Sequence, residues 1–347
     1  MPPVDLTPAG LSPGADVPFR PEVSTILPAL DQHLFALEPQ YRERVWGGRR
    51  LRASNPPIGE AWIACGQSRI SSGRLAGRNL REVTAGREAQ LLGTAVASRF
   101  GPRFPLLVKL LDCADWLSVQ VHPNDSQARK MVGPDEFGKT EAWYFLDADP
   151  GAQIMVGVKP GVDRDELAAG IREGRILEVV ERVSIRDGDA LLIPAGTLHA
   201  LGPGLLLYEI QQASDTTYRV YDWDRPQSAG RRLHIDESVE VTLPVGPAEL
   251  RHPQVAGETG AAPAIECPLF GLDLLRVSPE GGPLAGSTAG RSFHLLTSIN
   301  GSAEIVRGTE HLVLDRFETA MVAGSTGAYE VRSHGGPATL LRAAVPD

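Results

Sequence analysis

The amino-acid sequence predicts a mainly β protein with two β domains and a small helical insertion. Short apolar runs recur along most of the chain, and many alternate with polar residues at the period of two that is typical of strands. The segment TAMVAG at 319–324 also echoes LLIPAG at 191–196, as a repeated domain would. A chance match between two strand patterns is the alternative explanation of this echo.

The composition is that of an ordinary globular protein. The 347 residues suffice for two domains, and 42% of them are hydrophobic and 22% charged. No apolar run approaches the roughly 20 residues that span a bilayer, and residues 1–20 lack a secretory signal, so we expect a cytoplasmic protein without a membrane partner. A formal net charge of −9 argues against nucleic-acid binding. Three widely spaced cysteines predict neither a disulfide framework nor a CxxC metal site.

The first hundred residues contain an extension, strands and helices in that order. Residues 1–32 are rich in proline, have no sustained period and predict a loosely ordered extension. Strands are expected from residue 33 onwards. Within them, Trp46 either forms one wall of a sugar-binding site or packs in the core. Residues 74–103 have a rough helical spacing and predict one or two helices, and the apolar run 104–112 predicts a buried strand.

The strand predicted at 117–122 has polar side chains on one face. Its period of two sends Ser118, Gln120 and His122 to one side and three apolar residues to the other. An amide and an imidazole therefore leave the same face two residues apart. A lone His122 would more commonly be a hydrogen-bonded strand histidine, so its interpretation as a metal ligand depends on the side chains around it.

Two further strands bring a carboxylate and a second imidazole. Glu141 opens an apolar run, and the strand predicted at 190–193 ends in a Pro-Ala-Gly turn that leads to His199. If these strands pair, the two side chains converge with Gln120 and His122. Zn²⁺ or a similar divalent ion is satisfied by His, Glu and an amide oxygen. The sequence therefore predicts a metal site.

The segments after the first carboxylate predict helices, a strand and a polar cluster. Residues 164–183 predict two short helices split near Gly174, which form a helical insertion between the two halves of the site. A strand at 205–211 is followed at 214–223 by aromatic and charged residues that are too polar for a core alone. The Pro/Gly-containing stretch 244–268 is the candidate domain boundary.

The spacing of the candidate ligands resembles that of metal-binding cupins. Residues 188–199 match the second cupin motif, Gly-x5-Pro-x-Gly-x2-His, without its usual trailing Asn. In the first motif, Gln120-x-His122 stands where His-x-His is usual, with Glu141 well downstream. In the later echo Gly327 takes the place of the second histidine, so that copy is predicted to be metal-free.

This resemblance defines the predicted architecture. We expect a cupin (jelly-roll) catalytic domain at 33–245 with its helical insertion near 159–183. A second, metal-free cupin-like domain follows at 246–347. Residues 1–32 are not part of the resemblance.

Six motifs, in unbroken order, resemble type I mannose-6-phosphate isomerase, most closely its short bacterial form, over about residues 33–245. Thr140 stands where longer relatives have proline, which fits the short form. The resemblance implies an isomerase of carbohydrate metabolism that converts mannose 6-phosphate and fructose 6-phosphate reversibly, with one zinc ion per chain. The six motifs are RVWGG at 44–48, FPLLVK at 104–109, LSVQVHP at 117–123, GKTE at 138–141, PAGTLH at 194–199 and SDTTYR at 214–219.

The resemblance also implies residue roles. Arg219 would be the active-site arginine, which stabilises an enediolate or binds the phosphate, and Ser118 and Lys139 would face the substrate. The reaction would pass through a cis-enediol whose charge is stabilised by zinc. Lys139, Glu209 and Asp215 are all candidates for the proton relay, and the sequence does not rank them. The implied zinc ligands are Gln120, His122, Glu141 and His199.

Two other functions are compatible with a cupin. The first is a non-catalytic sugar-phosphate-binding protein, which Arg219 and the intact ligands disfavour. The second is an Fe²⁺ oxygenase, which Gln120 disfavours because such sites prefer histidines and a carboxylate. The sequence does not decide between a monomer and a homodimer.

Overall fold

The computed structural model describes residues 30–226, 231–247 and 249–346, and the protein is mainly β, as predicted. Most of the predicted extension at 1–32 lies outside the described residues. Within the described ranges no helix combines the length and the apolar character needed to cross a membrane. The strands form four sheets, which are arranged as two facing pairs.

The first pair of sheets encloses the predicted site. Its apolar core includes Trp143 and Phe145 from one sheet and Ile154 and Leu201 from the other. The strand predicted at 117–122 is shorter than expected. In spatial order, the six-stranded sheet contains β2 (Gln40–Gly48), β3 (Ile58–Ala64), β4 (Leu106–Cys113), β11 (Leu205–Gln212), β6 (Glu141–Ala148) and β9 (Ala190–Ile193). The five-stranded sheet contains β12 (Tyr218–Tyr221), β5 (Val119–Val121), β10 (His199–Leu201), β7 (Gln153–Val158) and β8 (Val180–Ser184).

The second pair of sheets is formed mostly by the C-terminal part of the chain. Leu275, Leu296, Ile305 and Val331 fill the space between the sheets, so this interior is apolar. The six-stranded sheet contains β1 (Leu34–Leu37), β19 (Thr319–Val322), β16 (His294–Asn300), β21 (Ala338–Ala344), β14 (Gly271–Val277) and β13 (Gly260–Glu266). The four-stranded sheet contains β15 (Leu284–Ser287), β20 (Ala328–Ser333), β17 (Ala303–Arg307) and β18 (Glu310–Leu314).

The first strand, β1, belongs to a sheet that is formed mostly by the C-terminal part of the chain. The predicted division assigned everything from residue 33 to the catalytic domain, but β1 pairs antiparallel with β19, with Leu34 opposite Val322. Apolar periodicity identifies a strand and does not identify its partner, which is chosen by long-range contacts. The predicted domain division near residue 246, where the chain passes to the C-terminal pair of sheets, remains a proposal.

The helices are short and lie outside the sheets. Residues 74–103 form three helices instead of one or two, because Gly86 and Gly93 have positive φ and interrupt them. The predicted insertion forms two helices, but residues 180–183 belong to β8, where Val180 and Val183 pair with β7. Two helices, α4 and α7, were not predicted. The helices are α1 (Leu80–Thr84), α2 (Glu88–Leu91), α3 (Thr94–Phe100), α4 (Asp125–Met131), α5 (Arg164–Arg172), α6 (Ile176–Val179) and α7 (Ile235–Val241).

One apolar core joins the two pairs of sheets. The two six-stranded sheets and α1–α3 contribute to it, and its largest fully buried members include Phe35, Tyr208, Phe270 and Phe293. Alternation along β11 directs Tyr208 to this shared core and its neighbours in sequence to the interior of the first pair. The predicted site therefore lies on the inner side of a sheet whose outer side stabilises the whole molecule.

Candidate metal centre

Strand β5 is the centre of the site because it pairs with two strands that carry predicted residues. Gln120 lies opposite His199 of β10 on one side and opposite Arg219 of β12 on the other. Directly opposite residues of an antiparallel pair have side chains on the same face. His122 follows the last residue of β5, and its carbonyl oxygen accepts a hydrogen bond from the amide of Gly196, in the turn before β10.

Glu141 reaches the same place from the opposite sheet. It is the first residue of β6, where it pairs with both β9 and β11 and is fully buried. One of its carboxylate oxygens lies 3.4 Å from Nε2 of His122, and the other lies 3.2 Å from Nε2 of His199. Bonds of about 2.0–2.1 Å to a tetrahedral ion separate neighbouring ligand atoms by roughly 3.3 Å. These three residues could hold a metal ion, since their ligand atoms all lie within 4.8 Å of one another.

Backbone carbonyls orient both imidazoles as metal ligands. Nδ1–H of His122 donates to the carbonyl of Thr216 at 2.9 Å, and Nδ1–H of His199 donates to that of Thr197 at 2.9 Å. Each Nε2 therefore directs a lone pair towards Glu141, which is the arrangement that metal-ligating histidines use. Burial, together with the ammonium of Lys139, lowers the pKa of His122 to about 3, and burial lowers the pKa of His199.

One ammonium and two imidazoles surround the carboxylate. Burial alone would raise the pKa of Glu141, but Lys139 and the two histidines outweigh it and hold that pKa well below its usual range. Nζ of Lys139 lies 2.8 Å from a carboxylate oxygen of Glu141 and 3.0 Å from Nε2 of His122. A buried carboxylate whose contacts are cationic and imidazole groups is the donor expected of a divalent-ion site.

Gln120 also reaches the ligand atoms. Its side-chain amide nitrogen lies 3.2 Å from Nε2 of His199. Rotation of the amide would present the oxygen at the same position, because the two ends of the group have nearly the same shape. The structure therefore brings all four predicted ligands together.

A cavity of about 430 Å³ opens beside these residues. All six of the other predicted site residues line it, although they come from five different segments of the chain. Arg219 is half-buried, and burial and the neighbouring Arg231 lower the pKa of its guanidinium. Asp215 is exposed at the rim, whereas the others are largely enclosed. The six residues are Trp46, Ser118, Lys139, Glu209, Asp215 and Arg219.

One predicted residue is already engaged by other side chains. The carboxylate of Glu209 accepts hydrogen bonds from Nζ of Lys109 at 2.9 Å and from the indole of Trp143 at 3.2 Å. Burial would lower the pKa of Lys109, but Glu209 and Glu60 outweigh it and raise that pKa. Glu209 therefore neutralises a buried ammonium.

The sequence reasoning missed several residues of the cavity wall. Lys109 interrupts the apolar run 104–111, and such an interruption of a buried strand was the signal that pointed to it. Arg44 binds Glu60 with two hydrogen bonds and also lines the cavity, as do Arg231 and His234. The last two had no local signal, since they follow the polar cluster at 214–223 without any strand pattern.

Comparisons with known proteins identify the family to which this chain is similar. A family model described as "Phosphomannose isomerase type I, catalytic domain" matches residues 34–144. The chain is similar to mannose-6-phosphate isomerase ManA of Bacillus subtilis (strain 168), with 36% identity over 285 residues, or 78% of this chain and 87% of the relative. It is 40% identical over 217 residues to mannose-6-phosphate isomerase of Streptococcus mutans, which covers 59% of this chain and 66% of that relative.

Solved structures share the fold. The crystal structure of mannose 6-phosphate isomerase from Bacillus subtilis superimposes with a TM-score of 0.79 at 28% identity, over 90% of this chain and 99% of that one. A mannose 6-phosphate isomerase bound with zinc and yttrium superimposes with a TM-score of 0.72 at 19% identity, over 91% of this chain and all of that one. These neighbours confirm the predicted cupin fold class.

Proposed function

Because this chain belongs to the type I mannose-6-phosphate isomerase family, we propose that it interconverts mannose 6-phosphate and fructose 6-phosphate through a cis-enediol, at a single zinc ion. The observation that carries the proposal is the convergence of two oriented imidazoles and a buried carboxylate, with ligand atoms 3.2 and 3.4 Å apart, beside a cation-lined cavity. When bound there, zinc supplies a Lewis acid for the carbonyl and the developing negative charge of the sugar.

Gln120, His122, Glu141 and His199 are the proposed ligands. His122 and His199 present lone pairs because their Nδ1–H groups are engaged, and Glu141 supplies the negative charge that retains a divalent ion. Gln120 completes the set through its amide oxygen. A neutral amide in place of a third imidazole leaves the ion a stronger Lewis acid, which suits the polarisation of a carbonyl.

Arg219 is proposed to bind an anionic part of the substrate. Its Nε is buried and makes no hydrogen bond to the part of the chain that the structure describes. A guanidinium with unused donors beside a cavity favours a phosphate or an enediolate oxygen. Ser118 and Trp46 are enclosed in the same wall, where the hydroxyl can orient a sugar hydroxyl and the indole shields the cavity from water.

Isomerisation requires a proton to move between C1 and C2 of the sugar. Of the three candidates, Lys139 is the one whose side-chain nitrogen lies against the ligand atoms. Glu209 is engaged by Lys109, and Asp215 lies at the exposed rim. We therefore favour Lys139 as the group that transfers the proton, with Asp215 as the second candidate and Glu209 as a support for Lys109.

A coupled assay tests this function directly. Formation of fructose 6-phosphate from mannose 6-phosphate is measured with the protein as purified, after EDTA, and after Zn²⁺ is added back. We expect turnover that EDTA abolishes and Zn²⁺ restores. If zinc-loaded protein bound the sugar phosphate without turnover, the isomerase proposal would be wrong, and the protein would be a non-catalytic sugar-phosphate-binding cupin.

Two substitutions separate the metal from the chemistry. Glu141→Ala should abolish zinc binding and isomerisation together. Arg219→Ala should lower kcat/KM by at least about a hundredfold while zinc remains bound, because a donor to the charge that develops in the transition state is worth roughly 2.7–4 kcal/mol. Near-full kcat/KM in Arg219→Ala would refute its role.

A further inference from the structure

His234 lines the same cavity as the predicted site residues, yet neither the sequence patterns nor the family motifs pointed to it. It is the residue before α7, and its ring contacts that of Tyr218, with 5.8 Å between the ring centroids. The residue is partly buried. His234 lies in the wall because the backbone of this residue is hydrogen-bonded to strand β12.

Two hydrogen bonds join His234 to Arg219. The backbone amide of His234 donates to the carbonyl of Arg219 at 2.8 Å. In return, the backbone amide of Arg219 donates to Nδ1 of the His234 ring at 3.2 Å. A side-chain ring is thus bonded to the backbone of the residue whose guanidinium is proposed to bind the substrate.

The second bond fixes the tautomer of the ring. A backbone N–H can only donate, so Nδ1 of His234 must be the unprotonated, accepting nitrogen. In a neutral imidazole the hydrogen is then on Nε2. Burial lowers the pKa of His234, the nearby Glu237 opposes this, and Arg232 and Arg219 add to the lowering, so the neutral form is favoured.

The Nε2–H group is a free donor. Nε2 makes no hydrogen bond to any residue in the described ranges, and it is not one of their buried unpaired atoms. The ring lies in the wall of the cavity, so this donor is available to a ligand there.

The neighbouring groups determine which ligand atom it suits. Arg231 lines the same wall, and Asp222 holds its guanidinium through two hydrogen bonds of 2.5 and 2.6 Å. Arg219 adds a second guanidinium with an unused Nε. Arg219, Arg231 and Nε2–H of His234 are all donors, and the carboxylate of Asp215, which also lines the cavity, is exposed at its rim. An oxyanion is the group that such a set of donors favours.

We propose that His234, as a neutral imidazole, donates Nε2–H to a phosphoryl oxygen of the sugar phosphate and, through Nδ1, positions Arg219. This inference rests on the proposed function and extends it by a substrate-binding residue that also acts on its neighbour. The phosphate is thereby placed beside Arg219 and His234, and the carbonyl of the substrate beside the proposed metal ligands.

Two variants separate the two roles. In His234→Asn, the side-chain oxygen can still accept from the amide of Arg219, but the side chain is too short to replace Nε2. In His234→Phe both contacts are lost. We expect KM for mannose 6-phosphate to rise about tenfold in His234→Asn, which corresponds to one hydrogen bond to a charged group. In His234→Phe we expect a similar rise in KM and, in addition, a fall in kcat.

Inhibition by inorganic phosphate tests which group of the substrate His234 contacts. The inhibition constant of phosphate should rise in His234→Asn by about the same factor as KM, whereas His311→Asn, on the exposed edge strand β18, should leave both unchanged. An unchanged KM in His234→Asn overturns the proposal. A raised KM with unchanged phosphate inhibition assigns the contact to a sugar hydroxyl and overturns the phosphoryl assignment. Equal kcat in the Asn and Phe variants overturns the positioning of Arg219.

The same variants remain informative if the isomerase function is wrong. Phosphate binding to the zinc-loaded protein can be titrated by calorimetry without any turnover. Weaker phosphate binding in His234→Asn than in the wild type then supports the contact, although the wild type is inactive. Equal affinity overturns the contact independently of the reaction.

Discussion

Lys139 contacts the same two ligand atoms that a metal ion would use. Because the Nδ1–H of His122 is engaged by Thr216, that ring has one lone pair, and the ammonium of Lys139 lies against it. The same ammonium contacts Glu141. An ammonium and a divalent ion cannot both use one lone pair, so Lys139 would compete with a metal ion for this position.

Removal of this ammonium should therefore strengthen metal binding. In Lys139→Met the hydrophobic stem is kept and the charge is lost, so we expect the affinity for Zn²⁺ to rise roughly tenfold or more while isomerisation falls. Competition with a chromogenic chelator measures this affinity. Lys130→Met is the matched control, because that lysine is exposed on α4. Equal or weaker zinc binding in Lys139→Met would contradict the competition.

At the scale of residues, sequence reasoning found the side chains whose neighbours in sequence carry a pattern. The period of two predicted that the side chains of Gln120 and His122 lie on the same face of the strand. The turn before His199 predicted that this histidine lies close to them. Arg231 and His234 enter the wall through contacts between segments that are distant in sequence. Their local sequence carries no record of those contacts.

At the scale of elements, a short segment holds Lys139 in place. This strap, residues 138–140, crosses between α4 and the start of β6. Asp125 of α4 accepts from the amide of Gly138 at 2.7 Å and from the side chain of Gln212 of β11 at 2.9 Å. Gln212 in turn accepts from the amide of Thr140 at 3.0 Å. Two elements therefore determine the position of one ammonium.

The strap leaves no space for a side chain at its first residue. A Cβ on Gly138 would lie 2.5 Å from the backbone of Asn124 and Asp125, so Gly138→Ala must displace the strap. We expect a loss of roughly 1–3 kcal/mol of stability and a clear fall in kcat, measured by urea unfolding and the isomerase assay. Gly133→Ala is the matched control, since its nearest atom would be the side chain of Glu136 at 3.7 Å. Equal kcat in both variants would show that the strap does not position Lys139.

The prediction of elements failed where helices were short and polar. Helix α4 begins at a capping box, in which Asn124 and Gln127 bond reciprocally, and this four-residue pattern was the available signal. Its seven residues bury only Ala128, so no apolar periodicity revealed it. The strands were predicted better because alternating burial repeats along each of them.

At the scale of the whole molecule, the shared core makes the two halves interdependent. Phe293 of the C-terminal half packs against Phe104 of the first half, with ring centroids 4.9 Å apart, and its amide donates to the carbonyl of Leu92. The sequence predicted two cupin-like units. It could not predict that they share an interior, because that depends on which outer faces meet.

We therefore expect the metal-free protein to unfold in a single thermal transition. Phe293→Ala should lower the free energy of unfolding by roughly 3–5 kcal/mol and should shift that whole transition. Scanning calorimetry measures both effects, and Val313→Ala, at an exposed position of β18, is the control. Two separate transitions, of which only one moves in Phe293→Ala, would show that the halves are independent.

The pairing of β1 with β19 has a consequence for biosynthesis. The strand at Leu34–Leu37 leaves the ribosome early, but its partner, Thr319–Val322, is translated near the end of the chain. At a usual elongation rate the nascent polypeptide carries this unpaired apolar strand for roughly 15–60 s. Unpaired strand edges promote aggregation, so a chaperone that shields the emerging N-terminal part should increase the yield of native enzyme.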